Sequence, residues 1–173
     1  MIIYKDLLTD DEIVSDTWNL KEVDGVVYEI DAKKVKKSGT ESFDIGANPS
    51  AEGGDDEEGG DSQEEWVLDV VDAFRLQEMS GFDKKTYSSS LKTYMKALVA
   101  KMKENGTSAD TIKEFQTKAS KFAPKILNNF KDYELYVGES MDPDGMLVLL
   151  NYREDGVTPY FTIWKHGLKE EKV

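Results

Sequence analysis

Two amphipathic stretches separated by one Asn-Gly step constrain this chain more than any other feature. Starting from Asp83, a helix-capping residue type, Tyr87, Leu91, Tyr94, Met95, Leu98 and Met102 recur at three- and four-residue spacing until Asn105-Gly106 supplies a stop. Thr107 and Asp110 then have the spacing of a capping box. Behind them, Ile112, Phe115, Ala119, Phe122, Ala123, Ile126, Leu127 and Phe130 form a second apolar stripe. Helices joined by so short a link must lie antiparallel, which predicts a helical hairpin over 83–130. Pro124 removes an interior hydrogen bond and clashes with the preceding turn, so a kink is expected there.

The first helix also carries Lys85, Lys92, Lys96 and Lys103. At about 100° per residue they fall within about 20° of one line, roughly 130° from the apolar stripe. The spacing predicts a basic ridge, either a solvated face or a docking site for an acidic partner surface such as the tubulin tail.

Outside the hairpin the pattern is β-like. Met1 to Tyr4 reads as a short strand, and Val26-Val27-Tyr28-Glu29-Ile30 as another entered through Asp24-Gly25, with polar turns between them. Trp66, Leu68, Val70, Phe74 and Leu76 share one face at period two, which predicts a half-buried strand. Further strands are expected over 133–137, 145–153 and 157–164, the last two joined by the hairpin signal Glu154-Asp155-Gly156. Strands flanking a helical pair indicate an α+β fold in a single domain spanning residues 1–173.

Charge divides the chain unevenly. Of a formal net charge of −13, ten acidic residues lie between Glu41 and Glu65 with no Lys or Arg among them, leaving −3 for the other 148 residues. Ala51 to Gln63 contains four glycines and no large apolar side chain. Such a segment cannot bury enough surface to offset its ordering entropy, so 38–65 is expected to be a mobile acidic loop. It could solvate the domain, attract calcium weakly, or present Ser62 for phosphorylation. The folded remainder is near neutral, and no nucleic-acid reading motif is present; nucleic acid is therefore not an expected partner.

Catalytic chemistry finds little to work with. Cysteine is absent and His166 is the only histidine, which removes thiol chemistry and metal sites built on two imidazoles. His166 reads as an exposed turn residue without a nucleophile elbow. There is no phosphate-cradling glycine motif. Asp142-Pro143-Asp144-Gly145 lacks the downstream ligands of a calcium loop and reads as an acidic turn. The longest apolar run, Met146 to Leu150, falls far short of the roughly 20 residues that span a bilayer, and no secretory signal is seen. A monomeric, cytoplasmic, non-enzymatic protein is expected, without membrane insertion. Asp10-Asp11-Glu12 and Gly138-Glu139, at strand ends, offer carboxylates to a basic group on a partner.

Longer motifs sharpen this. Ile45 to Gly53 (IGANPSAEG) and Phe130 to Gly138 with Glu139, followed by Met141-Asp142-Pro143-Asp144-Gly145-Met146, resemble the two signatures of the translationally controlled tumour protein family. The opening MIIYKD, the stretch Asn151 to Tyr160 and the ending Glu170-Glu171-Lys172 match as well, so the resemblance covers the whole chain. Pro124 departs from the family pattern. The resemblance implies a twisted β-tent core, similar to small zinc-containing Rab chaperones and methionine sulfoxide reductases, with a projecting helical hairpin and a mobile acidic loop. The metal and redox chemistry of those relatives does not carry over to a chain without cysteine. By the same resemblance the protein is a growth- and translation-linked interaction protein that docks small GTPases and translation elongation factors, and Glu12 matches the carboxylate implicated in GTPase contact, with Tyr4 and Glu139 nearby. The alternative it implies is binding of microtubules and calcium through the acidic loop and the lysine-rich helix, with Lys85, Lys92, Lys96 and Lys103 as the tubulin-facing residues. No cofactor other than weak calcium is expected, and no metal ligands are assigned.

Overall fold

The computed structural model describes residues 1–36 and 66–173, so the acidic loop expected over 38–65, with Ser62 and the first signature, lies outside the described residues. Eleven strands are described, in three antiparallel sheets. The first joins β1 (Ile2–Asp6), β2 (Glu12–Ser15) and β11 (Leu168–Lys172) in the order β11-β1-β2. The second contains β3 (Leu20–Val23), β4 (Val27–Asp31), β7 (Gln77–Met79), β8 (Glu134–Val137), β9 (Val148–Tyr152) and β10 (Pro159–Trp164), ordered β3-β4-β10-β9-β8-β7. A third pairs β5 (Lys34–Lys36) with β6 (Trp66–Leu68).

β10 is the centre of the large sheet and is covered on both faces. Alternating side chains explain how: Phe161 meets the Tyr136 ring at 5.7 Å on one face, while Trp164 meets Phe122 of the helical pair at 5.9 Å on the other. The expected turn between β9 and β10 is present, with Tyr152 opposite Pro159 and Gly156 at φ 73°.

The helical hairpin is also present. Helix α2 (Lys84–Glu104) is capped by Asp83, whose carboxylate accepts from the Thr86 N–H at 2.7 Å, and it buries Tyr87, Leu91, Tyr94, Leu98 and Met102. Helix α3 (Ala109–Asn128) buries Ile112, Phe115, Ala119, Phe122 and Ile126. Its cap is Ser108, not Thr107: Ser108 has the extended backbone of an N-cap and accepts from the Thr111 N–H at 3.2 Å. The helix continues through Pro124 to Asn128. Phe122 and Ile126, buried on either side of Pro124, anchor the final turns to the core.

Three further expectations are corrected. The period-two strand over 66–76 is β6 followed by a short helix, α1 (Asp69–Phe74), before β7. Val70 and Phe74 are four apart, a spacing that satisfies either a strand or a helix face, and Asp69 decides between them. Its carboxylate accepts from the Lys33 and Val70 N–H groups and from Trp18 Nε1, fixing the helix start. The polar turns expected between the first two strands contain β2 and β3, and in β2 Ile13, Val14 and Ser15 are buried. His166 is half-buried rather than exposed. It sits in a 3-10 turn, Lys165–Gly167, with its ring 4.8 Å from Phe115.

Candidate functional site

The turn after β1 is built around a buried carboxylate. Asp6, 2% exposed, accepts from the Leu8 N–H at 2.9 Å and the Met146 N–H at 2.8 Å. Burial raises its pKa, while those donors oppose the shift. This contact brings the segment after β8 against the turn after β1. A second contact repeats the link at the other end: Asp11 Oδ2 accepts from the Ser140 hydroxyl at 2.6 Å and the Ser140 N–H at 3.2 Å. Glycine makes the approach possible, since a Cβ at Gly138 would lie 2.5 Å from Asp11 Cβ, and one at Gly145 would lie 2.5 Å from Thr9 Cγ2.

These links place Glu12, the first residue of β2, near Glu139, just past the end of β8. A bulge after Tyr4 sets Lys5 opposite Glu12 across the strands. Between the two glutamates stands Arg75, with Nε 2.9 Å from Glu139 and Nη2 3.8 Å from Glu12. Arg75 is the residue that ends α1, in left-handed conformation at φ 56°. The hydrogen bond with Glu139 holds its guanidinium still more firmly charged. All three side chains remain accessible, Glu12 at 37%, Arg75 at 52% and Glu139 at 58%, so a partner can reach each of them.

The structure thus joins two of the three residues expected on this surface. Tyr4, on β1, has its ring 6.3 Å from that of Tyr28, and burial, then Glu170, raises its pKa. Arg75 was not legible as a site residue. The one available signal is rarity, because the chain has two arginines and each pairs with two carboxylates. The other, Arg153, binds Glu29 and Asp31 and stacks 3.9 Å over the Tyr160 ring.

On the hairpin, Lys85, Lys92, Lys96 and Lys103 are all exposed and form no ion pair among the described residues. The ridge is not isolated from apolar surface as expected. Lys92, Lys96 and Lys103 border an open groove of about 750 Å3 between α2 and α3, because Val99 and Ala100 continue the apolar surface into the lysine row. Among the described residues no group of three His, Cys, Asp or Glu side chains is placed to hold a metal ion. Asp142 forms the acidic turn expected, accepting from the Asp144 N–H at 2.9 Å. No described helix is long and apolar enough to cross a membrane.

These features define a class: an α+β protein of antiparallel sheets and a packed helical pair, with a charged cluster where two loops meet. A family model described as translationally controlled tumour protein matches residues 1–169. A relative from Alternaria alternata, named translationally-controlled tumor protein homolog, is 62% identical over 173 residues and covers 100% of both chains. One of the same name from Saccharomyces cerevisiae is 51% identical over 175 residues, again with 100% of each covered. Among solved structures, the translationally controlled tumor-associated protein of Schizosaccharomyces pombe superposes with a TM-score of 0.78 at 48% identity over 100% of both chains. The Caenorhabditis elegans translationally-controlled tumor protein gives 0.70 at 31% identity, covering 100% of this chain and 99% of that one. The chain belongs to the translationally controlled tumour protein family.

Proposed function

We propose that the protein is a non-enzymatic regulator that docks a small GTPase or a translation elongation factor through the surface around Glu12 and Glu139. Family membership supports a general growth-related regulatory role. The observation that carries the reading is the convergence of Glu12 and Glu139 on one exposed guanidinium, Arg75. Glu12 is held at the longer distance and is the carboxylate more readily transferred to a basic group on a partner. Regulation of a GTPase then requires different affinities for its nucleotide states. Calorimetric titration of small GTPases and elongation factors, each GTPase loaded with GDP or a GTP analogue, tests this with Glu12→Ala and Glu139→Ala variants. Weaker binding by both variants is expected, whereas affinities equal to the parent would remove this surface from the interface.

A second reading rests on Lys85, Lys92, Lys96 and Lys103 of α2, which are exposed and form no ion pair among the described residues. Through them the protein would hold the acidic tails of microtubules in the cytoplasm, by charge alone. Cosedimentation with microtubules across a salt series should weaken steeply with salt, and pelleting unchanged after conversion of Lys85, Lys92, Lys96 and Lys103 to Ala would end it.

A further inference from the structure

The groove between α2 and α3 has the chemistry of a peptide site. Leu91, Met95 and Val99 line one wall, and Phe115, Ala119 and Leu127 the other. Met95, Val99 and Leu127 are only half-buried, so apolar surface stays open to an occupant. Lys92, Lys96 and Lys103 stand on the α2 rim, while Gln116 and Ser120 on the α3 side are uncharged. Among the described residues, no acidic side chain lines the groove.

We infer that this groove seats an amphipathic helix of a partner protein that carries acidic residues along one flank. A helix is favoured over an extended segment because both walls are helices. They offer no free strand edge, so an extended backbone would turn unsatisfied N–H and C=O groups toward apolar walls. A helix satisfies those groups internally and presents apolar residues at three- and four-residue spacing. From Leu91 to Lys103 the rim runs about 18 Å, the length of about three helical turns. Lysines at spacings of four and seven select carboxylates at the matching spacings on the ligand, and a lining whose described charged residues are all lysines selects against a basic helix. A second copy of this chain is a poor occupant. Among the described residues, the two α-helices with an acid in the first turn and none of the groove's lysines, α1 and α3, already bury their apolar faces in the chain's own core, Val70 and Phe74 from α1 and Ile112, Phe115, Ala119, Phe122 and Ile126 from α3.

This differs from charge-only capture of an acidic tail, and one experiment separates the two. The probe is an acetylated, amidated 18-residue helix with leucines at three- and four-residue spacing and glutamates at i, i+4 and i+11 on one flank, the rest Ala and Gln, labelled with fluorescein. Anisotropy titration at 0.1 M salt should give saturable one-to-one binding. Lys92→Glu with Lys96→Glu should weaken it at least tenfold, as should Val99→Asp or, on the opposite wall, Ala123→Glu. Lys85, outside the groove, serves as the control, and Lys85→Glu should change affinity less than twofold. Polyglutamate should compete at least tenfold more weakly than the unlabelled helix. Circular dichroism identifies variants that remain folded. Failure of the helix to bind the parent protein, or an equal loss with Lys85→Glu, overturns the assignment. Equal competition by polyglutamate also overturns it and leaves the charge-only reading standing.

Discussion

Arg75 grips Glu139 at 2.9 Å through Nε while the other side of the same guanidinium stands 3.8 Å from Glu12. It does so from a left-handed backbone at φ 56°, with its own N–H donating to the Val71 carbonyl as α1 ends. The side chain and the backbone therefore pull stability in opposite directions. Exposed ion pairs contribute about 0–1 kcal/mol, whereas a left-handed conformation costs a residue with a Cβ about 1 kcal/mol relative to glycine. Arg75→Gly is expected to be more stable than Arg75→Ala by about 1 kcal/mol, since both lose the ion pairs and only alanine keeps the strain. Urea unfolding of the two variants reads this difference directly, and equal midpoints would show that the backbone there relaxes freely.

Gly138 has the opposite sensitivity. Its φ is not in the left-handed region, but a Cβ would collide with Asp11 Cβ and Oδ2, both at 2.5 Å. Gly138→Ala should push the two loops apart, breaking the Ser140 contacts to Asp11 and costing about 1–3 kcal/mol by overpacking. Asp11→Gly in the same chain removes the obstructing atoms. The double variant should therefore recover part of the loss, a non-additivity of at least about 0.5 kcal/mol in a double-mutant cycle.

Local signals made the hairpin legible: the Asp83 cap, the apolar stripes and the Asn105-Gly106 stop all act within a few residues. The turn at Glu154-Asp155-Gly156 was legible for the same reason. What escaped depends on distant partners. β11 reads Leu-Lys-Glu-Glu-Lys and has no strand pattern of its own; it is a strand because it pairs with β1, from Ile2 opposite Lys172 to Asp6 opposite Leu168. The helix at 69–74 depends on Asp69 reaching Lys33 and Trp18, contacts no window of neighbouring residues contains. The site divides likewise. Glu12 and Glu139 stood out at strand ends, but Arg75 joins them only after α1, β2 and β8 are assembled.

The core contains a polar group that stability measurements can probe. Tyr94 is 6% exposed, its hydroxyl meets no hydrogen-bond partner among the described residues, and burial, with Asp6 next, raises its pKa well above the ordinary value. A buried donor without a partner costs about 1–3 kcal/mol. Tyr94→Phe keeps the ring and removes that cost, so the variant should be more stable by about 1 kcal/mol in thermal or urea unfolding. A loss larger than about 1 kcal/mol would mean the hydroxyl is hydrogen-bonded in solution.

Pro124 is exposed in the last turns of α3 and cannot donate to the carbonyl of Ser120. Replacing it by alanine restores that hydrogen bond and opens no cavity, because the ring packs into no core. Pro124→Ala should stabilise the protein by about 1–3 kcal/mol. A destabilised variant would indicate that the proline ring is needed where it borders the groove.

His166 makes stability depend on pH in a direction its surroundings fix. Burial lowers its pKa below the ordinary 6.5, and Lys165 and Lys118 push the same way, against weaker opposition from Glu114 and Glu22. Between that lowered value and 6.5 the unfolded chain binds a proton that the folded chain refuses. Stability should therefore rise with pH across this interval, being complete above 6.5 and lost as pH falls toward the folded-state pKa. His166→Phe retains an aromatic ring against Phe115, which lies 4.8 Å away, and has nothing to protonate. Urea midpoints of the parent minus those of the variant, taken from pH 8 to pH 5, cancel the carboxylates common to both. That difference should fall as the solution is acidified below 6.5. A difference that stays flat would place the imidazole in contact with water, and one that rises would require Glu114 or Glu22 to dominate its surroundings.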